Sequence, residues 1–93
     1  MKLNKASGKK RNKKVTLYAL STCGWCRKTK ELLNRQKIEY EFCDVDLLTG
    51  ADRQETMEQV LKVNPKGSYP TIIIGADVVV GFDEPRIAEL LKS

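Results

Sequence analysis

The order of the apolar segments is the feature that most constrains the fold of this chain. Residues 15–20, VTLYAL, form a nearly continuous β-branched and aromatic run that predicts a buried strand. A helical pattern follows, with Ser21 or Thr22 as its cap, and ends near Lys37; residues 38–46 then predict a second strand. Strands joined across a helix pair in parallel with a right-handed crossover, so this half of the chain predicts a β-α-β unit.

The second half of the chain predicts a further helix, a hairpin and a last helix. These elements are a helix over 51–62, a loop over 63–70, strands over 71–75 and 76–81, and a helix capped by Asp83. Met57, Val60 and Leu61 are the predicted apolar face of the first of these helices. The predicted architecture is therefore an α/β domain of order β-α-β-α-β-β-α, a four-stranded mixed sheet with three helices that cover both faces.

The basic charge of the chain is concentrated in residues 1–14. This segment contains seven lysine or arginine residues and no acidic residue, whereas the net charge of the whole chain is +5. Residues 15–93 carry fewer cations than acidic residues. Because the segment has no apolar periodicity, we predict a disordered basic tail over residues 1–14 and one domain over residues 15–93. We interpret the tail as solvated, and a nucleic-acid contact is the less favoured alternative.

The composition also indicates the compartment. No apolar run approaches the ~20 residues of a membrane-spanning helix, and no apolar segment of a secretory signal follows the cationic N-terminus. Three cysteines are too few for a secreted disulfide scaffold. We therefore expect a cytoplasmic protein without a membrane contact, in which a close cysteine pair is catalytic or metal-binding.

Cys23 and Cys26 form a C-x-x-C motif between the first strand and the first helix. A structural zinc site needs four nitrogen or sulfur ligands, but the chain has no histidine and one further cysteine, Cys43. A disulfide that closes so short a loop would stabilise the fold little. Redox exchange explains more, because a helix N-terminus favours a thiolate at Cys23, and Cys26 lies one turn later on the inward face. We interpret Cys43 as a small packed residue, with a regulatory thiol as the alternative.

Three cations follow the cysteine pair on the same predicted helix and add positive potential: Arg27, Lys28 and Lys30. Taken singly, each is equally well explained as an ordinary exposed helix residue. Three cations near the motif are compatible with a stabilised cysteine thiolate, but their spacing does not show which cation would stabilise it.

The segments LYALSTCGWC, SYPTIII and VVVGFDE together resemble the glutaredoxin family over residues 15–92. The C-x-x-C motif between a strand and a helix is typical of the thioredoxin fold. The resemblance implies a thiol–disulfide oxidoreductase that reduces protein or low-molecular-weight disulfides by dithiol exchange. In that reaction Cys23 is the implied nucleophile and Cys26 its resolving partner.

The resemblance also assigns six residues to substrate binding: Trp25, Tyr69, Pro70, Gly81, Phe82 and Asp83. Pro70 matches the cis-proline of the family, and a cis bond there would expose the Tyr69 backbone to a substrate peptide. The Gly-x-Asp pattern at 81–83 matches the region that receives the γ-glutamyl end of glutathione. The same pattern also predicts a plain helix cap after a glycine turn, and both interpretations are compatible.

Two departures from the family pattern leave the electron donor open. Leu20 stands where many glutaredoxins have a cation for a glutathione carboxylate, and Gly24 stands where proline is common. The segment VGFDEP also resembles redoxins that serve ribonucleotide reductase and depend on a reductase enzyme. The implied partners are therefore disulfide-containing proteins, including ribonucleotide reductase, with a reductase enzyme, glutathione or another small thiol as donor. We expect a monomer with no bound organic cofactor.

A cluster-binding module is the alternative function. Some glutaredoxins hold a [2Fe–2S] cluster between two protomers, through one active-site cysteine of each, here Cys23, and two external thiols. Gly24 in place of proline would loosen the turn and make this alternative conceivable. Visible absorbance of the purified protein, with iron and sulfide analysis, separates the two functions.

Overall fold

The computed structural model describes residues 4–6, 8 and 13–92 of the 93-residue chain. The described elements, in chain order, are β1 (Asn4–Ala6), β2 (Val15–Ala19), α1 (Gly24–Arg35), β3 (Tyr40–Asp44), a 3₁₀ turn (Val45–Leu47), α2 (Gly50–Val63), β4 (Thr71–Ile74), β5 (Asp77–Val80) and α3 (Glu84–Lys92). From β2 onward, this order confirms the predicted β-α-β-α-β-β-α succession. None of the helices in the described part of the chain combines the length and apolarity that crossing a membrane requires.

The strands form one mixed sheet in the order β1-β3-β2-β4-β5. β2 pairs in parallel with β3, whereas β4 is antiparallel to both β2 and β5. These pairings of β2 to β5 confirm the predicted four-stranded mixed sheet. All five residues of β2 are buried, as expected for a strand with neighbours on both edges and helices on both faces.

β1 adds a fifth strand where the sequence analysis predicted disorder. Asn4–Ala6 pairs antiparallel with β3, and Asn4 lies opposite Phe42. The outer edge of β3 presents backbone N–H and C=O groups that any extended segment can pair with, so this strand needs no apolar pattern. Apart from residues 8, 13 and 14, the rest of the predicted tail lies outside the described residues. The domain boundary at residue 15 therefore stays a prediction.

The core lies on both faces of the sheet. On one face α1 and α3 bury Leu33 and Ile87 against β2 and β4. On the other face α2 contributes Val60 to a smaller cluster with Tyr18 and Cys43. The predicted helix cover on both faces is confirmed, as is the interpretation of Cys43 as a packed residue.

The buried face of α2 differs from the predicted one. Val60 is buried, but Met57 and Leu61 are exposed, and Thr56 is buried in their place. Thr56 and Val60 are one turn apart and form a single ridge on the helix. Because the cluster under α2 is small, this one ridge covers it, so the contact with the sheet rather than the apolar content of the helix determines the buried face.

Candidate active site

The pairing of the strands brings the predicted functional residues to one edge of the sheet. α1 begins shortly after β2 ends, so the cysteine motif lies at this edge. Tyr18 is opposite Thr71, which places Pro70 beside the end of β2. Thr71 is in turn opposite Val80, which places Gly81 beside Pro70. Three segments that are distant in the sequence therefore meet at the N-terminus of α1.

Cys23 is the N-cap residue of α1. Its backbone is extended, and its Sγ accepts a hydrogen bond of 3.3 Å from the backbone N–H of Cys26. The predicted caps, Ser21 and Thr22, are wrong, because the thiol itself occupies the capping position and both residues are exposed. Cys23 is partly exposed, and the positive end of the helix dipole lies at its sulfur, where it stabilises negative charge.

Cys26 is fully buried one turn further along α1. Burial, with the hydrogen bond to Cys23 as the next cause, raises the pKa of the Cys26 thiol to about 12. The backbone N–H of Leu20, which donates to Cys26 Sγ at 3.5 Å, and the Lys30 cation lower this pKa but do not reverse the effect of burial. Cys26 is therefore a protonated, shielded thiol at neutral pH, beside an accessible sulfur.

Asp46 anchors the turn that carries the cysteines. The backbone N–H of Ser21 donates to Asp46 Oδ1 at 2.8 Å, and the Ser21 hydroxyl donates to Oδ2. These bonds lower the pKa of the Asp46 carboxyl. The same turn contains the bond from Cys23 N–H to the Leu20 carbonyl, 3.2 Å long. The sequence analysis missed Asp46, although its place after a strand parallel to β2 was a usable signal.

Five of the six predicted binding residues line one open groove next to the cysteines. It has a volume of about 260 Å³ and is lined by Trp25, Tyr69, Pro70, Gly81 and Phe82. The Trp25 and Phe82 rings stack with their centroids 5.7 Å apart and an interplanar angle of 24°. The groove is thus largely aromatic, and an apolar or peptide group is the ligand that fits such a surface.

Asp83, the sixth predicted binding residue, does not line the groove. Its Oδ1 accepts a hydrogen bond of 3.3 Å from the backbone N–H of Arg86, so its predicted role as the cap of α3 is confirmed. Its side chain is exposed beyond Phe82. Its predicted contact with a γ-glutamyl group stays a prediction.

The Tyr69–Pro70 peptide bond is cis, as predicted. The Pro70 carbonyl accepts a hydrogen bond of 2.8 Å from the backbone N–H of Gly81. Gly81 has a φ of 84°, a conformation that favours glycine, so the residue type at 81 is set by the backbone as well as by the groove. This bond joins the segment before β4 to the segment after β5 and fixes the width of the groove.

Cys43 lies apart from the cysteine pair. It is buried on the other face of the sheet, and burial, followed by the neighbouring Asp44, raises the pKa of its thiol. The described residues contain no group of three or more His, Cys, Asp or Glu side chains that could hold a metal ion. Cys43 is therefore not a member of the candidate site.

The sequence matches the glutaredoxin family over residues 15–79. The chain belongs to the glutaredoxin family. The structure of the glutaredoxin from Methanosarcina mazei Go1 has a TM-score of 0.87 and 42% identity to this chain, covering 98% of this chain and 88% of that one. Methanosarcina acetivorans methanoredoxin has a TM-score of 0.82 and 41% identity, with coverage of 86% and 85%.

A curated relative gives the same family. It is the glutaredoxin-like 8.6 kDa protein in the rubredoxin operon of Clostridium pasteurianum, 32% identical over 78 residues, which are 84% of this chain and 97% of the relative. The predicted family and thioredoxin-like fold are therefore confirmed, and the general activity of the family is thiol–disulfide oxidoreduction.

In this glutaredoxin, Asn64 holds the segment before Pro70, a role that the sequence analysis missed. Asn64 is 2% exposed. Its Nδ2 donates to the Ser68 carbonyl and to Thr71 Oγ1, each at 3.0 Å, and its Oδ1 accepts from the Lys66 N–H at 3.2 Å. Thr71 Oγ1 also donates to the Ser68 carbonyl at 2.8 Å. One side chain therefore connects both ends of the loop that leads into the groove.

We expect alkylation of the reduced protein to distinguish its cysteines. At neutral pH, iodoacetamide will modify Cys23 first, because its sulfur is accessible, whereas Cys26 and Cys43 are buried and their raised pKa values keep them protonated. As the pH rises, the thiolate fraction of Cys26 increases about tenfold per unit until its pKa of about 12 is approached. Mass spectrometry of peptides at several pH values measures each rate. Equal rates for Cys23 and Cys43 at neutral pH would contradict this assignment.

Proposed function

We propose that this glutaredoxin-family protein reduces disulfides by dithiol exchange, with Cys23 as the nucleophile and Cys26 as the resolving thiol. The observation that carries the proposal is the paired geometry of the two sulfurs. One is accessible at the N-terminus of α1 and 3.3 Å from the Cys26 nitrogen, and the other is buried one turn behind it. The aromatic groove beside Cys23 supports a substrate that is a protein or peptide disulfide.

The proposed reaction transfers two electrons in two exchange steps. The Cys23 thiolate attacks one sulfur of the substrate disulfide, the substrate S–S bond breaks, and the released thiolate takes up a proton. Cys26 then loses its proton and attacks Cys23 Sγ. The mixed disulfide breaks, the second substrate thiolate leaves, and a Cys23–Cys26 disulfide remains. The substrate is reduced by two electrons and the protein is oxidised by two.

We propose a protein disulfide in the cytoplasm as the physiological substrate, with that of ribonucleotide reductase among the candidates. The reductant that restores the dithiol is glutathione or a reductase enzyme. Leu20 lies where a glutathione-binding cation is common in the family, and this supports the reductase enzyme. Reduction of the oxidised protein by glutathione alone, compared with NADPH and a thioredoxin-reductase-type enzyme, decides between the two donors.

We expect oxidation by an excess of peptide disulfide to consume two specific thiols. The product will contain a Cys23–Cys26 disulfide, because these sulfurs are adjacent, and Cys43 will stay reduced, because it is buried on the other face of the sheet. Mass spectrometry after alkylation in denaturant identifies the remaining thiol. A product with Cys43 in its disulfide, or with all thiols unchanged, would contradict the proposal.

A further inference from the structure

The resolving step requires an ionised Cys26. This thiol is fully buried, and burial raises its pKa, so the thiolate is rare at neutral pH. The Leu20 N–H bond to its sulfur, at 3.5 Å, is long and supplies only part of the stabilisation that an anion needs. A charge that favours the thiolate would accelerate this step without any contact with the substrate.

Lys30 is the cation placed to supply that charge. It lies four residues after Cys26 on α1, and therefore on the same side of the helix. Long helical side chains point toward the helix N-terminus, which is the direction of Cys26. Lys28, by contrast, lies over the exposed Trp25 ring, 4.8 Å from its centroid, on the outer side of the helix.

Asp44 and Phe42 hold the Lys30 side chain in place. Lys30 Nζ is 2.8 Å from Asp44 Oδ1 and 4.6 Å from the centroid of the Phe42 ring. The Lys30 and Asp44 side chains are only 25% and 14% exposed, so solvent screens the pair less than a surface ion pair. These contacts therefore hold the Lys30 side chain in one preferred conformation.

The pairing of β2 and β3 places this ion pair beside Cys26. Asp44 is opposite Ala19, and Leu20, the next residue, donates its N–H to Cys26 Sγ. Asp44, which binds Lys30, is thus paired with the residue directly before Leu20, whose N–H contacts the buried Cys26 sulfur. The strand pairing and the position of Lys30 on α1 are separate observations, and both place the Lys30 cation near Cys26.

We propose that Lys30, fixed by Asp44, is a positioning residue that stabilises the Cys26 thiolate in the resolving step. This inference rests on the proposed dithiol function. Cys26 Sγ gives its proton to solvent or to the departing substrate thiolate, the Cys26–Cys23 bond forms, and the bond from Cys23 to the substrate breaks. Lys30 stays protonated throughout.

The other ionisable groups around Cys26 do not replace Lys30. Cys23 is bound to the substrate at this stage and carries no charge. Burial is the main cause that raises the pKa of the Tyr69 phenol, so this group is uncharged at neutral pH. Asp44 carries a negative charge, which would oppose the Cys26 thiolate, but Lys30 lowers the pKa of Cys26 whereas Asp44 is not among the groups that shift it. Lys30 is therefore the group among these whose charge favours the reaction.

A disulfide with a coloured aromatic thiolate separates the two steps. The first equivalent of colour reports attack by Cys23, and the second reports resolution by Cys26. In Lys30→Met we expect the second phase to slow about tenfold or more at neutral pH, and its pH midpoint to rise by about one unit. The first phase should change less than about twofold. Lys30→Arg, which keeps the charge, should restore most of the second-phase rate.

Arg35→Met is the matched control, because it removes the same charge from the last turn of the same helix. Nine positions separate this site from Cys26, or ~13 Å along the axis, beyond the reach of strong coupling. An unchanged second phase in Lys30→Met, or equal slowing of both phases, would overturn the inference. If Lys30→Met does not fold, Lys30→Gln is judged by the same criteria. Absence of the first phase in the parent protein would instead overturn the proposed function.

Discussion

Cys23→Ser will abolish disulfide reduction, whereas Cys26→Ser will stop the reaction at a stable mixed disulfide. A serine hydroxyl does not ionise near neutral pH and cannot form a disulfide, so the first variant has no nucleophile. The second variant keeps the accessible sulfur, and the backbone N–H at position 26 still donates to it. Without the resolving thiol, the substrate remains attached to Cys23.

The adduct is measured as a mass increase equal to one substrate thiol, reversed by dithiothreitol. Cys43→Ala is the control, because Cys43 packs on the other face of the sheet and lies outside the groove. This control should keep turnover within about twofold and lose only stability, by about 1 kcal/mol for the small cavity. Complete loss in both active-site variants, with no trapped adduct, would contradict the assigned roles.

The features that depend on local pattern could be predicted from the sequence. The alternation of Ile38, Tyr40 and Phe42 against Cys43 assigns two faces to the second predicted strand, and the structure places Tyr40 and Cys43 of β3 in different core clusters. The order of the elements follows from such patterns and from the turn residues between them. Once that order is known, the parallel pairing of β2 and β3 places the cysteine motif at the sheet edge.

The binding residues were predicted from the family resemblance rather than from pattern. A lone Tyr-Pro or Gly-Phe-Asp segment is common in loops, and neither indicates a groove by itself. The structure brings Pro70 and Gly81 together through the pairing of β4 with β5. Their role in substrate binding remains part of the proposal.

The contacts that the sequence did not predict join residues far apart in the chain. Ser21 or Thr22 was expected to cap α1, but the Ser21 hydroxyl donates to Asp46, 25 residues away, and Cys23 is the cap. Met57 was likewise predicted to be buried but is exposed, because the sheet surface beneath α2 decides which side of the helix is buried. Local pattern contains no information on such partners until the fold brings them together.

Asn64→Ala will give the second large effect, on stability and on substrate binding together. Asn64 is buried. Its side-chain amide donates hydrogen bonds to Ser68 and Thr71 and accepts one from the Lys66 N–H. Truncation leaves the Lys66 N–H without its intramolecular acceptor and opens a cavity next to β4, so we expect a loss of about 2–4 kcal/mol. The loop that leads to Pro70 would then sample other positions, and the groove would lose its fixed wall.

Denaturant unfolding and substrate kinetics measure these consequences separately. We expect the KM for a peptide disulfide to rise several-fold, while the rate of Cys23 alkylation stays within about twofold, because the Asn64 side chain bonds to the loop before β4 and the capping sulfur bonds within α1. Asn34→Ala is the matched control: Asn34 is exposed, and its Oδ1 accepts a long hydrogen bond of 3.3 Å from the Tyr40 hydroxyl, so a loss below about 1 kcal/mol is expected. Equal stability losses in the two variants, or an unchanged KM in Asn64→Ala, would show that the loop is held by its backbone alone. A raised KM together with slower alkylation of Cys23 would instead show that Asn64 supports the whole site, because the change would then extend to the N-terminus of α1.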